Sequence, residues 1–170
     1  DASFQVTIEI PRRYSADLDL GSGNVEVGSL TGDLRVDVGS GNVTVEDVNG
    51  DEVVLDTGSG TVRARALRGD VRIDTGSGSV HVDRVEGSLL VDTGSGSVNV
   101  GTVDGRTNVD TGSGSVEMTL VSAASSEVST GSGSVTMRLP RAAGFDVECV
   151  CVNRGHIGCP IAAFDESGSL

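Results

Sequence analysis

Apolar and polar residues alternate along most of the chain, and glycine interrupts the alternation at regular intervals. The tripeptide Gly-Ser-Gly occurs seven times, at steps of 18, 19, 18, 18, 18 and 19 residues. Its first residues are Gly21, Gly39, Gly58, Gly76, Gly94, Gly112 and Gly131. Eleven residues after each start lies a second small residue, namely Gly32, Gly50, Gly69, Gly87, Gly105, Ala123 or Ala142. Each unit therefore has two corners, where glycine permits a positive φ or a close backbone approach.

Between the corners, apolar residues recur in columns that are separated by irregular polar positions. Four residues after each start the chain always has valine, from Val25 to Val135. This alternation, with its bias toward β-branched residues, predicts half-buried strands. The positions that we expect to be buried are Val43, Val45, Leu55, Val62, Ile73, Val80, Val82, Val91, Val98 and Val109.

A constant repeat of this length predicts an all-β fold, a right-handed parallel β-solenoid of 18–19-residue coils with Gly-Ser-Gly corners. The right hand follows the preference of parallel β crossovers. A sandwich or meander also has short strands at regular spacing, but it does not require the same residue at the same place in every unit. We expect one domain over residues 1–170, with capping strands in 1–20, repeat coils in 21–139 and a C-terminal cap in 140–170.

The units resemble a known family once their motifs are read in order. The unit from Val91 to Gly105, the segment Ile8 to Pro11 and the closing segment Gly131 to Pro140 resemble the bacterial family of adhesin-like domains of unknown function. The resemblance implies an exported β-solenoid of the cell envelope or the extracellular space, with no established reaction. The cysteine-bearing tail after Glu148 departs from the family pattern.

Composition narrows the range of partners. The net charge is −13, from 25 acidic residues against 12 arginines and no lysine. Such a chain is not expected to bind nucleic acid or an anionic membrane surface, and without lysine it cannot form a Walker-A phosphate loop. No apolar run approaches the ~20 residues of a membrane span. Because Asp1 rather than Met begins the chain, we expect an upstream segment to have been removed.

Aspartates occupy one outward column, at Asp56, Asp74, Asp92 and Asp110, with Asp19 and Asp37 before them. The sequence Asp-Thr-Gly-Ser around the first four matches an aspartic-protease signature, but that chemistry needs two carboxylates from two lobes, and here the motif is a repeated corner. We expect each carboxylate to accept amide hydrogens of its own corner. Calcium bound between the coils is the alternative, with Asp56, Asp74, Asp92 and Asp110 as ligands.

One cluster has soft metal-ligand types, namely Cys149, Cys151, His156 and Cys159. These four residues could hold zinc through nitrogen and sulfur ligands. In an exported protein a disulfide is the more common use of cysteine, and either Cys149 or Cys151 could pair with Cys159. The thiols could also remain free in the core, so three uses stay open.

The pattern favours a non-enzymatic structural or adhesin-like element outside the cytoplasm, with no cofactor. The corners are too short to wall a cleft, which disfavours an enzyme. One alternative is a filament subunit that stacks end to end through its terminal coils. A second is a calcium-stabilised or carbohydrate-binding surface module. The expected partners are therefore a further copy of the chain, or a surface glycan or protein ligand.

Overall fold

The structure is a computed structural model that describes residue 11 and residues 13–122 and 125–139. These residues form twelve strands and no helix. The strands are β1 (Ala16–Leu20), β2 (Val25–Thr31), β3 (Leu34–Ser40), β4 (Val43–Ser59), β5 (Val62–Ser77), β6 (Val80–Glu86), β7 (Leu89–Ser95), β8 (Val98–Asp104), β9 (Thr107–Ser113), β10 (Val116–Leu120), β11 (Ser126–Thr130) and β12 (Val135–Arg138). Every pairing is parallel. The predicted all-β parallel solenoid is confirmed.

Each coil contributes to two parallel ladders. Ladder A joins β2, the first half of β4, the first half of β5, β6, β8, β10 and β12. Ladder B joins β1, β3, the second halves of β4 and β5, β7, β9 and β11. Strands β4 and β5 belong to both ladders because they continue through the second corner, at Gly50 and Gly69.

The register places equivalent residues of successive coils directly beside one another. Val43 pairs with Val62, and Leu55 pairs with Ile73. Valine, leucine and isoleucine from both ladders fill one continuous core. All ten positions predicted to be buried are at most 2% exposed. At the ends of the stack, in β1 and β11, the inward positions are only half-buried.

Backbone contact between coils explains the Gly-Ser-Gly corners. A Cβ atom added at the second glycine of a corner, from Gly41 to Gly133, would lie 1.7–1.9 Å from the carbonyl oxygen of the equivalent glycine one coil earlier. A Cβ atom at the first glycine would lie 2.6–2.8 Å from the corresponding carbonyl oxygen. Real Cβ atoms do not approach this closely, so the stack requires glycine at both positions. Gly41, at φ 149°, also has a backbone conformation that other residues rarely adopt.

The remaining predictions about domain organisation are not tested. The expected caps fall largely outside the described residues, since residues 1–10 and 140–170 lie beyond them. The right-handed path of the coils also stays a prediction.

Candidate functional surfaces

The aspartate column follows ladder B along its outward side. Asp37 pairs with Asp56, Asp56 with Asp74 and Asp74 with Asp92, and the column runs on to Asp110. Successive strands lie about 4.8 Å apart, so each carboxylate has like charges on its neighbours in the stack. The sequence had predicted this alignment, and the register confirms it.

The surroundings of Asp56 disfavour the ionised form of its side chain. Partial burial raises the pKa of Asp56 above its ordinary value of 3.8, and repulsion from Asp74 and Asp37 raises that pKa further. Arg35 and Arg72 oppose the rise through their positive charge. The Arg72 guanidinium also lies 3.6 Å from the Asp74 carboxylate. Arginines in the neighbouring outward column therefore offset part of the repulsion.

The expectation that each aspartate accepts amide hydrogens of its own corner is wrong for the described aspartates. Among residues 13–122 and 125–139, no carboxylate of the aspartate column accepts a hydrogen bond from a backbone amide of its own corner. The corner amides bond to the next coil instead. The Gly41 amide donates to the Ser59 carbonyl at 2.9 Å, and the Gly78 amide donates to the Ser95 carbonyl at 3.0 Å.

The calcium hypothesis gains no direct support from this geometry. In the part of the chain that the structure describes, no three acidic, histidine or cysteine side chains converge into a group that could hold a metal ion. Asp56, Asp74, Asp92 and Asp110 form a line along the stack. The zinc and disulfide candidates Cys149, Cys151, His156 and Cys159 lie outside the described residues.

A charged network across three coils was missed by the sequence analysis. Asp47 accepts hydrogen bonds from Arg65 and Arg68, both at 2.8 Å. Arg68 also donates to Glu86 at 3.1 Å, and Glu86 lies 2.7 Å from Arg84. We call these five side chains the arginine network. Arg68 and Glu86 are register partners in one column, 18 residues apart, so the column alignment held a signal for this pair. Arg68 reaches Asp47 across 21 residues and Arg84 contacts Glu86 on its own strand, and the alignment gave no signal for these two contacts.

The arginine network is largely open to solvent. The Arg65 and Arg84 side chains are each 60% exposed. The hydrogen bond from Arg68 holds the pKa of Asp47 below its ordinary value of 3.8, against the effect of burial. The same hydrogen bond raises the pKa of Arg68. The network thus fixes guanidinium groups on the outward side of ladder A, where the chain's overall negative charge is locally balanced.

The corners carry a second set of contacts between coils. The Asn24 side-chain oxygen accepts a hydrogen bond from the Asn42 amide at 3.0 Å, and the Asn42 side-chain oxygen accepts one from the Thr61 amide at 3.0 Å. At the other corner, Asp33 accepts hydrogen bonds from the amides of Asp51 and Glu52. These contacts hold each coil to the next one along the stack.

An inward column of threonines was also missed. Thr57, Thr75, Thr93 and Thr111 are buried on ladder B. Thr57 donates to the Gly41 carbonyl at 3.1 Å, and Thr111 donates to the Gly96 carbonyl at 3.3 Å. The Thr75 hydroxyl is buried without a partner. The threonine of each Asp-Thr-Gly-Ser corner could have revealed this column in the sequence. The burial of these side chains and their hydrogen bonds to glycine carbonyls give the column a structural role.

Concave space is limited in the described coils. A groove of about 220 Å³ lies beside the first coils, and its lining includes Asp17, Asp33, Arg35 and Glu52. No described helix has the length and apolar character needed to cross a membrane.

Comparison with known proteins gives one match. A family model described as Toastrack DUF4097 matches residues 2–147. No curated protein and no solved structure matches the chain. The matched region contains every described residue and all seven Gly-Ser-Gly corners.

Proposed function

Because the chain belongs to the Toastrack family, a domain of unknown function, we propose that it acts as a rigid, non-enzymatic element outside the cytoplasm with an adhesin-like role. The observation that carries the proposal is the stacked register, in which every coil repeats the backbone path of the one before it. A stack held by direct backbone contact at its corners keeps outward side chains at fixed positions. Such a rod can present a fixed set of side chains to a binding partner.

The contact surface in this proposal is the outward side of ladder A around the arginine network. Arg65 and Arg84 are held by carboxylates and still expose most of their side chains. A preorganised guanidinium group loses less conformational freedom on binding than a free side chain does. Polar groups of a surface glycan or protein are therefore the ligands that this surface would take.

A binding screen tests the proposal. The purified chain would be presented to a panel of surface polysaccharides and extracellular-matrix proteins, and binding would be followed by biolayer interferometry. We expect saturable binding to at least one member and a weaker signal for the double variant Arg65→Ser/Arg84→Ser. The matched control is Arg138→Ser, which removes an exposed ion pair with Glu117 elsewhere on ladder A.

Two results would count against the proposal. A uniformly negative screen with monodisperse protein would remove the adhesive role and leave only a scaffold. A signal that Arg138→Ser weakens as much as the double variant would move the contact away from the arginine network. The placement outside the cytoplasm rests on the family resemblance of the repeat and is tested by cell fractionation of the natural protein.

A further inference from the structure

Positive charge on the outward side of ladder A is concentrated in one strand. The first half of β5 carries Arg63, Arg65 and Arg68 and no acidic residue. The first half of β4 has two acidic residues and no arginine, and β6 has two acidic residues and one arginine. The first half of β5 is therefore a positive band in a chain whose net charge is −13.

Arg63 differs from the other two arginines of this band. Arg65 and Arg68 both pair with Asp47, whereas none of the ion pairs among residues 13–122 and 125–139 includes Arg63. Arg63 is also exposed. Its guanidinium group therefore keeps a positive charge that no described carboxylate neutralises at close range.

The column that contains Arg63 carries no acidic residue over four successive coils. Its members on these coils are Thr44, Arg63, His81 and Asn99. All four are exposed. Carboxylates return one coil further on at each side, at Glu26 and Glu117. Each of the four side chains can donate a hydrogen bond, so we call these four residues the donor column.

The donor column suits an elongated ligand with anionic groups. Strands lie about 4.8 Å apart, so the four coils cover roughly 14 Å along the rod. The planar guanidinium group of Arg63 matches the oxygen atoms of a carboxylate or of another oxyanion such as sulfate. Arg65 lies two residues away on the same side of the strand and is 60% exposed, so a second anionic group can be bound beside the first. Thr44 and Asn99 offer neutral donors to hydroxyl groups.

The same surface lacks the features of a contact with a folded protein. Protein interfaces usually centre on aromatic or apolar side chains. The large apolar residues that the described chain exposes are Tyr14, Val121 and Val135, and none of them lies on the strands of the donor column, β4, β5, β6 and β8. A polar polymer therefore fits this surface better than a folded protein.

The aspartate column opposes an anion at this surface only weakly. It follows the outward side of ladder B, and packed sheets are separated by about 10 Å. The Debye length at physiological ionic strength is about 8 Å. Repulsion between the aspartate column and an anion on ladder A is therefore largely screened.

We propose, resting on the function proposed above for this surface, that its ligand is an acidic polysaccharide that lies along the donor column. Carboxylate or sulfate groups of the polymer bind Arg63 and Arg65, and its hydroxyl groups accept hydrogen bonds from Thr44 and Asn99. Arg63, which is not part of the arginine network, is then the main binding residue. The chemical class of the ligand follows from the unpaired guanidinium group and from the four coils without a carboxylate in its column.

Polysaccharide pairs that differ only in charge test the proposal. Polygalacturonate would be compared with its methyl ester, and dextran sulfate with dextran, so that carboxylate and sulfate are tested separately. Binding of the full-length chain would be measured by biolayer interferometry in the presence of EDTA, which removes cations that could join the aspartate column to the polymer. We expect the acidic member of at least one pair to bind tighter by about tenfold or more, since hydrogen bonds to charged groups are the stronger ones.

Two single variants connect this preference to the donor column. Arg63→Ser is expected to weaken binding of the acidic polymer by about fivefold or more, because it removes a guanidinium group that is available to the anion. Arg35→Ser is the matched control, since Arg35 is also exposed and takes part in none of the described ion pairs, but lies on the outward side of ladder B. It lowers the net charge by the same amount and is expected to weaken binding by less than about twofold. Far-UV circular dichroism is expected to be unchanged in both variants.

Three outcomes would overturn the acidic ligand and leave the proposed function standing. The first is neutral polymers that bind as tightly as their acidic counterparts. The second is saturable binding to a matrix protein and to none of the polysaccharides. The third is an equal loss of binding in Arg35→Ser and Arg63→Ser, which would make the overall charge the cause. If neither polysaccharides nor matrix proteins bind, the proposed function fails and the acidic ligand fails with it.

Discussion

The Thr57 hydroxyl donates a hydrogen bond to the Gly41 carbonyl oxygen at 3.1 Å, inside the solenoid. Gly41 belongs to the preceding corner, so the bond joins a buried side chain of one coil to the backbone of the coil before it. Thr111 and Thr130 make the same bond to Gly96 and Gly114. Thr75 occupies the same column but has a buried hydroxyl without a partner.

This difference predicts opposite effects of the same substitution. Thr57→Val is expected to lower the free energy of unfolding by about 1 kcal/mol, since it removes a buried hydrogen bond. Thr75→Val is expected to leave that free energy unchanged or to raise it by up to about 1 kcal/mol, since a buried hydroxyl without a partner is replaced by a methyl group. Urea unfolding followed by circular dichroism measures both. Equal losses in the two variants would contradict the assignment.

The corner glycines give a second prediction. In Gly78→Ala the new Cβ atom would lie 1.7 Å from the Gly60 carbonyl oxygen, so we expect a loss of more than about 3 kcal/mol or a failure to fold. Gly21→Ala is the matched control, because a Cβ atom there has nothing within 4 Å, and its effect is expected to stay within about 0.5 kcal/mol. Thermal unfolding compares the two. A tolerated Gly78→Ala would show that the corners do not stack this closely.

A charge in the valine core is the third test. Val82 is fully buried, and Val82→Asp would bury a carboxylate in a thin core that has no partner for it. We expect the variant not to fold, which far-UV circular dichroism and solubility would show. Asn99→Asp adds the same charge on an exposed position of ladder A and is expected to leave the spectrum unchanged.

The raised pKa of Asp56 gives a dependence of stability on pH. Because the pKa of Asp56 in the folded state lies above the ordinary value of 3.8, the ionised carboxylate destabilises the fold at neutral pH. That cost disappears as the pH falls through the folded-state pKa. Asp56→Asn is therefore expected to be more stable than the natural chain at neutral pH, and the advantage should vanish below pH 3.8. Urea unfolding midpoints of both proteins at neutral pH and below pH 3.8 measure this advantage. An advantage of equal size under both conditions would exclude the ionisation of Asp56 as its cause.

The pKa of Asp47 is shifted in the opposite direction, so its effect on stability also depends on pH in the opposite way. The hydrogen bond from Arg68 lowers the pKa of Asp47 below 3.8, so this pair stabilises the fold above that value and the contribution is lost as the pH falls through the folded-state pKa. Arg68→Gln is expected to reduce stability at neutral pH by less than about 1 kcal/mol, since the pair is exposed to solvent. The deficit should shrink in acid. A deficit that grows in acid would contradict the assignment.

The fold was predictable from the sequence because a constant step places like residues on neighbouring strands. Val43 and Val62 share a column in the alignment and are partners in the register. The arginine network was predictable only in part. Arg68 and Glu86 share a column, but the contacts of Asp47 with Arg65 and Arg68 cross columns and depend on side-chain length. The hydrogen bonds of the aspartates were predicted wrongly because the corner amide of Gly41 already donates to Ser59 of the next coil.

The corner contacts also govern how the domain can change its length. A deletion of one complete coil brings two equivalent Gly-Ser-Gly corners together and leaves every remaining register intact, whereas a deletion of a few residues displaces all later columns. Each coil adds about 4.8 Å between the two ends of the rod. Gene duplication and unequal recombination can therefore lengthen or shorten this protein only in whole coils, so that the length of the rod changes in steps of one coil.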